Sequence, residues 1–96
     1  MNPALPKTYY VYLLTLHKSK YLYIGCTNNL EKRMKEHKTG KVFSTNRYLP
    51  VNLIYYETYI SKLDAFNREK ALKNYGSGLA KLKMRLKDTL QEGRAG

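Results

Sequence analysis

The chain of 96 residues is poor in acidic side chains, has a single cysteine and lacks tryptophan. It carries seven carboxylates against 18 lysines and arginines, and no three carboxylates lie close together in the sequence. A metal centre of three or four carboxylates, as in two-metal nucleases and polymerases, is therefore hard to assemble here.

The lone Cys26 excludes a disulfide within the chain and a zinc site built from several thiolates. This cysteine usage favours a reducing, cytoplasmic setting. The first residues lack the apolar stretch of a signal peptide. No apolar run approaches the ~20 residues that a membrane helix needs, so we expect no contact with the membrane interior.

The net charge of +11 indicates a polyanionic partner. Nucleic acid ranks first, an acidic membrane surface second and an acidic protein third. The length fits one small domain over residues 1–96, which we expect to have a core at about 8–90 and short flexible termini.

The first half of the chain predicts a hairpin followed by a helix. Two apolar runs at 8–16 and 21–25 are joined by a few polar residues, as in an antiparallel pair of strands. Asn28 and Glu31 form a capping-box pattern, which predicts a helix over about 29–38.

The second half predicts one strand and two helices. A polar loop at 41–52 precedes a third strand at 53–59, and Ser61 with Asp64 is typical of a helix start. The order is then β-β-α-β-α-α, an α+β fold with a three-stranded sheet covered by helices. The last helix is predicted from a stripe of four leucines: Leu79, Leu82, Leu86 and Leu90.

Ten tyrosines are many for a chain of this length. Side chains alternate along a strand, so Tyr10 and Tyr12 share one face, as do Tyr21 and Tyr23. Cross-strand aromatic packing accounts for such a pattern. The alternative is that one or two phenols point into a cleft, where a phenol with a pKa of ~10 acts as a base only if nearby cations lower that value.

Arg33 and His37 are four residues apart and share one face of the predicted first helix. Arginine holds phosphate through two hydrogen bonds, and histidine moves protons near neutral pH. A basic helix face is also expected in any chain of this charge. Glu69 is open to two interpretations, an ion-pair partner of Lys73 or a functional carboxylate held near the sheet.

Five features follow one another along the chain: Tyr10-Val11-Tyr12, Tyr23-Ile24-Gly25, Arg33, His37 and the Glu69 of an Arg-Glu-Lys run. In this order they resemble the GIY-YIG nuclease domain, and in particular its small standalone members, which are similar to the nuclease module of the bacterial excision-repair incision subunit. The resemblance implies a three-stranded antiparallel sheet flanked by helices, and hydrolysis of phosphodiester bonds with one divalent ion, Mg²⁺ or Mn²⁺.

The resemblance also implies roles. Glu69 would bind the metal ion, and Arg33 would stabilise charge on the phosphorus. Tyr23 would activate or align the attacking water, Tyr12 would shape the site and His37 would help to take the proton. The general base stays open among these last three. We expect all five side chains to converge on one concave surface, and Tyr23 and Glu69 on opposite faces of the sheet would contradict the nuclease interpretation.

The sequence departs from the family pattern at two positions. Tyr10 replaces the first glycine of the family name, and Cys26 stands where repair modules carry a lysine. A downstream asparagine used by several members has no evident counterpart. Basic residues in that region and in the 41–52 loop are candidates for contacts with substrate: Lys81, Lys83, Lys41 and Arg47.

The function predicted from these features is a metal-dependent DNA endonuclease, acting on nicked or branched DNA in repair or recombination. The alternative is a nucleic-acid-binding module that has kept the fold but little or no catalysis and works with a partner protein.

Overall fold

The computed structural model describes residues 4–95, with side chains through residue 92. Three strands, β1 (Tyr9–Thr15), β2 (Leu22–Thr27) and β3 (Asn52–Tyr59), form one sheet in the order β2-β1-β3. Both neighbours of β1 run antiparallel to it. The predicted hairpin and the antiparallel sheet are confirmed, and β2 is an edge strand.

Four helices accompany the sheet: α1 (Leu30–Lys38), α2 (Lys62–Lys73), α3 (Ser77–Arg85) and α4 (Lys87–Ala95). The predicted α+β order is confirmed. The last predicted helix is divided at Leu86, whose N–H bonds to the carbonyls of Leu82 and Lys83. The predicted flexible termini fall partly on residues 1–3 and 96, which lie outside the described residues, and the helical backbone continues to Ala95, past the expected core.

The start of α1 differs by one residue from the prediction. The N-cap is Asn29 rather than Asn28, and its side chain accepts the N–H of Lys32 at 3.0 Å. The reason lies two residues earlier, where the Thr27 hydroxyl accepts the Asn29 N–H at 3.1 Å and fixes the chain as it leaves β2. The predicted cap of α2 is confirmed, since Ser61 accepts the Asp64 N–H at 3.2 Å.

The two faces of the sheet are covered by different helices. Val11 and Leu13 of β1 belong to the larger apolar cluster, which also contains Ala65 and Leu72 of α2 and all four leucines of the α3–α4 stripe. Tyr12 of β1 belongs to a second cluster on the opposite face, together with Met34 and other residues near α1. Because β1 is central, its residues on both faces are buried.

A network around Glu57 holds α2 against β3. Arg68 of α2 donates two hydrogen bonds of 2.9 Å to its carboxylate, and Tyr55 and Tyr59 donate bonds of 2.8 and 2.6 Å. Burial alone would raise the pKa of Glu57, but these donors outweigh it and lower that pKa. Arg68 directly precedes Glu69, so the network also fixes the position of Glu69.

Among the described residues, we find no helix both long and apolar enough to cross a lipid bilayer.

Candidate active site

The Tyr12 hydroxyl is the centre of a buried polar chain. It lies 2.8 Å from Nε2 of His37, and Nδ1 of His37 lies 2.8 Å from the hydroxyl oxygen of Thr45. All three side chains are buried. Both ring nitrogens of His37 therefore have partners, which fixes the orientation of the imidazole.

Gly25 makes room for Tyr12. The two residues are register partners across β1 and β2, and the Tyr12 ring crosses directly over the glycine. A Cβ at position 25 would overlap the ring, so a larger residue there requires Tyr12 to move. The glycine of the Tyr-Ile-Gly run is thus required by packing.

Tyr23 lies next to these hydrogen-bonded side chains, on the same face of the sheet. Its ring centroid is 5.1 Å from that of His37 and 6.1 Å from that of Tyr12. Unlike those two residues, Tyr23 is partly exposed. It is therefore the member of the aromatic group that reaches the surface.

Arg33 connects the buried chain to the surface. Its guanidinium interacts with the Tyr12 phenol, which raises the pKa of Arg33, and its Nη1 atom lies 3.3 Å from Oε1 of Glu36. About a third of the Arg33 side chain is exposed, so part of its positive charge faces solvent. The structure thus brings Tyr12, Tyr23, Arg33 and His37 close together, but Tyr12 and His37 are buried rather than on the concave surface that the sequence predicts.

Burial determines the protonation states of Tyr12 and His37. Burial raises the pKa of Tyr12 despite the opposing hydrogen bond from Arg33. Burial, followed by the Arg33 cation, lowers the pKa of His37 below its ordinary value. At neutral pH the phenol therefore keeps its proton and the imidazole is neutral.

A cleft of about 400 Å³ opens beside the start of α1. One wall comes from α1 and includes Arg33, and the opposite wall comes from the first turns of α2. Cys26, at the end of the edge strand β2, lies between them. The charged and apolar lining side chains include Lys32, Arg33, Glu36, Lys62 and Phe66.

Glu69 approaches this cleft from the other side of the sheet. It lies one turn after Phe66 on α2, which packs on the face opposite to Tyr23. Burial, followed by the Glu69 carboxylate, raises the pKa of the Cys26 thiol, so that carboxylate interacts with a cleft residue. The expectation of one shared face is therefore wrong. Tyr23 and Glu69 therefore do not meet the shared-face condition that the sequence set for a nuclease, and the interaction with Cys26 is what links Glu69 to the cleft.

Glu69 also forms an ion pair. Its Oε2 atom lies 3.3 Å from Nζ of Lys73, and only 20% of its side chain is exposed. This is the pairing that helical spacing predicts.

The predicted substrate-contact residues lie on two elements. Lys41 and Arg47 are exposed on the loop after α1, the same loop that supplies Thr45. Lys81 and Lys83 are on α3, with Lys83 Nζ 5.8 Å from the centre of the Tyr75 ring.

Several residues at the site carry little or no signal in the sequence. Lys32 and Lys62 line the cleft, but nothing in the sequence distinguishes them from the other cations. Thr45 could not be identified from the sequence either, because it lies on a loop and no helical or strand spacing relates it to His37. Glu36 could have been found, since it is three residues after Arg33 in a helix.

The donor set of the site suits a hard divalent ion bound by few protein ligands. Among the described residues, no group of three or more His, Cys, Asp or Glu side chains is arranged so that it could hold a metal ion. Magnesium is commonly held by one or two carboxylates together with waters and substrate phosphates. Glu36 lines the cleft, and Glu69 interacts with the lining residue Cys26, so each could supply a single carboxylate of this kind.

Comparison with known proteins gives one family. The model of the GIY-YIG catalytic domain matches residues 8–83. A UPF0213 protein of Streptococcus pyogenes serotype M5 (strain Manfredo) is 43% identical over 68 residues, which are 70% of this chain and 73% of that protein.

A UPF0213 protein of Clostridium perfringens (strain 13 / Type A) is 45% identical over 65 residues, 67% of this chain and 69% of that protein. No solved structure gives a significant match. The family model and these relatives together show that the chain belongs to the GIY-YIG family, whose members are nucleases that generally use divalent metal ions.

Proposed function

We propose that this protein is an endonuclease that hydrolyses phosphodiester bonds of DNA with one bound divalent ion. The observation that carries the proposal is the position of Arg33, which lines a cleft with basic walls, is paired with Glu36 and interacts with the buried Tyr12 phenol. A rigid guanidinium at such a cleft can bind a phosphate through two hydrogen bonds and stabilise charge as it develops.

Substrate attraction would come from cations around Arg33. Lys32 and Lys62 line the same cleft, and the net charge of +11 favours any polyanion. Lys41, Arg47, Lys81 and Lys83 would add contacts to phosphates farther from the scissile bond. Such contacts give affinity that falls steeply with salt.

Of the three candidates for the general base, Tyr23 fits the geometry best. Tyr12 and His37 are fully buried, so neither can touch an attacking water in this conformation. Tyr23 is partly exposed and packs against both. We assign Tyr23 to aligning the water, and Tyr12 with His37 to holding Tyr23 and Arg33 in place.

Glu69 would hold the ion, Mg²⁺ or Mn²⁺, from the α2 side of the cleft. When bound, such an ion polarises a phosphoryl oxygen and makes bound water more acidic. Lys73 would have to release Glu69 as the ion enters, because its ammonium is 3.3 Å from the carboxylate.

Nicked or branched DNA is the proposed substrate class, with a role in repair or recombination inside the cytoplasm. A compact single domain has room for few base contacts, which favours recognition of DNA shape over a long sequence.

The Glu69–Lys73 ion pair favours a second candidate function. If Lys73 keeps the carboxylate occupied, the chain would bind nucleic acid without cutting it and would depend on a partner protein. The two candidates differ in turnover and share the binding surface.

The test is cleavage of supercoiled, nicked and branched DNA in the presence of Mg²⁺ or Mn²⁺. The proposal expects wild-type cleavage that Glu69→Ala abolishes. The matched control is Asp88→Ala, which removes an exposed carboxylate of α4 that lines neither concave surface beside α1 and should leave cleavage intact. Undiminished cleavage by Glu69→Ala would remove Glu69 as the ligand, and a wild type that binds all three DNAs without cutting them would support the second candidate.

A further inference from the structure

A second concave surface lies on the other side of α1, between that helix and β3. This groove has a volume of about 650 Å³. Its floor contains two aromatic rings, Tyr10 and Tyr56, whose centroids are 5.9 Å apart at an angle of 62°. Tyr56 is 51% exposed, and the neighbouring Leu53 is 39% exposed. The open ring of Tyr56 is therefore available for stacking.

The α1 wall of this groove is basic. Lys35 and Lys38 line it, and both are exposed. Glu31 lies on the same wall and pairs weakly with Lys35 at 3.9 Å, so Lys38 contributes most of the free positive charge. An aromatic floor with a cationic wall matches an unpaired nucleotide, whose base stacks while its phosphate meets the cation.

The groove adjoins the candidate active site. Asn28 and Asn29, at the start of α1, line both the groove and the cleft that contains Arg33. A DNA strand passing over the start of α1 would therefore present one nucleotide to Tyr56 and a nearby phosphate to Arg33.

We propose that this groove binds an unpaired nucleobase next to the scissile phosphate, and that the preferred substrate is DNA with a single-stranded segment. The proposal rests on the proposed function for its ligand, DNA. It goes further in naming Tyr56 as a stacking residue and Tyr10, at the position of the family's first glycine, as the ring that supports it.

Another exposed tyrosine pair provides a contrast. The rings of Tyr21 and Tyr75 are 6.3 Å apart, and Tyr21 is 57% exposed. Lysines already lie over both rings, Lys20 at 5.4 Å from Tyr21 and Lys83 at 5.8 Å from Tyr75. Tyr21 directly precedes β2, which is separated from β3 by β1, and it does not line the groove, so Tyr21 serves as a matched control.

The experiment measures binding of a labelled oligothymidylate and of a blunt duplex of equal length, at fixed salt and with a chelator present. Tyr56→Leu removes the ring but keeps apolar bulk, and Tyr56→Phe keeps the ring. We expect Tyr56→Leu to weaken single-strand binding by about 5- to 150-fold while duplex binding changes less than about 2-fold. Tyr56→Phe and Tyr21→Ala should bind both DNAs like the wild type.

A fluorescent adenine analogue placed in the strand gives a second readout, because stacking on Tyr56 quenches it and a purely ionic contact does not. Equal losses for the two DNAs in Tyr56→Leu, or an equal single-strand loss in Tyr21→Ala, would overturn the proposal. Because the chelator removes divalent ions, this result does not depend on cleavage. If the protein cuts DNA but its binding does not depend on the Tyr56 ring, only the stacking proposal fails. If the ring stacks a base but the protein does not cut DNA, only the proposed nuclease function fails.

Discussion

The Tyr12 hydroxyl oxygen and Nε2 of His37 are 2.8 Å apart inside the protein, away from solvent. This hydrogen bond joins the central strand to α1, and the charge of Arg33 on the same helix interacts with the same phenol. The position of the surface guanidinium therefore depends on a buried phenol.

Removal of that hydroxyl should affect both stability and catalysis. Tyr12→Phe leaves Nε2 of His37 buried without a partner, which costs about 1–3 kcal/mol of unfolding free energy. It also releases Arg33 from its inner contact, so cleavage should fall. Urea unfolding measures the first effect, and Tyr10→Phe, in a partly exposed ring of the same strand, should change stability by less than about 0.5 kcal/mol.

The lowered pKa of His37 predicts a specific dependence of stability on pH. As the pH falls toward the ordinary histidine pKa of ~6.5, His37 gains a proton in the unfolded state. In the folded state it gains that proton only at lower pH. The free energy of unfolding should therefore be flat above about pH 7 and fall as the pH drops below ~6.5, by up to about 1.4 kcal/mol per unit. Arg33 contributes to the lowered pKa, and Glu36 opposes it.

Unfolding measured between about pH 7 and 5.5 tests this dependence, since carboxylates titrate mainly at lower pH. His37→Gln should flatten the slope in that window. His17→Gln, at an exposed position, should retain the wild-type slope. An unchanged slope in His37→Gln would show that another group titrates there.

The Glu57–Arg68 pair should be worth more than an exposed ion pair. The Glu57 side chain is 14% exposed and has four donated bonds, so Glu57→Gln should cost about 2–3 kcal/mol, somewhat less than the ~3–5 kcal/mol of a fully buried pair. Glu31→Gln, whose pair with Lys35 is exposed, should cost less than about 1 kcal/mol. Since the pKa of Glu57 is lowered, its contribution is present above its ordinary pKa and is lost as the pH falls through the folded value. Equal costs for the two substitutions would contradict this account.

Two glycines should respond to alanine in opposite directions. In Gly25→Ala the new methyl group overlaps the Tyr12 ring, so stability should fall by at least about 1–3 kcal/mol. Gly78 lies in α3 with nothing within 4 Å of an added Cβ, so Gly78→Ala should gain about 0.5–1 kcal/mol. Thermal unfolding of both variants measures the difference, and a neutral Gly25→Ala would show that Tyr12 can move freely.

Local patterns predicted most of the fold. Runs of apolar and aromatic residues identified the strands, and the spacing of Leu79, Leu82, Leu86 and Leu90 identified the last helical stripe. The sequence did not reveal the division at Leu86, because both segments keep the same apolar period. The cap of α1 was misplaced because Asn28 and Asn29 are equally good cap residues, and the choice depends on Thr27.

The candidate site was predicted less completely than the fold. Helical spacing put Arg33 and His37 on one face, and the resemblance added Tyr12, Tyr23 and Glu69. The position of Glu69 across the edge strand depends on how α2 packs, and that packing depends on the contact between Arg68 and Glu57. Long-range contacts of this kind leave no periodic trace in a single sequence.

The central claim is that Arg33 acts on the reacting phosphate, whereas the neighbouring cations only attract DNA. Arg33 and Lys32 are adjacent in the chain, line the same cleft and carry the same charge. The most direct test compares the cleavage rates of Arg33→Gln and Lys32→Gln. The protein is in excess over DNA, at a concentration that saturates binding. We predict that Arg33→Gln lowers this rate by about 10²–10³, whereas Lys32→Gln weakens binding and leaves the saturated rate near that of the wild type. Equal saturated rates for the two variants would contradict the account.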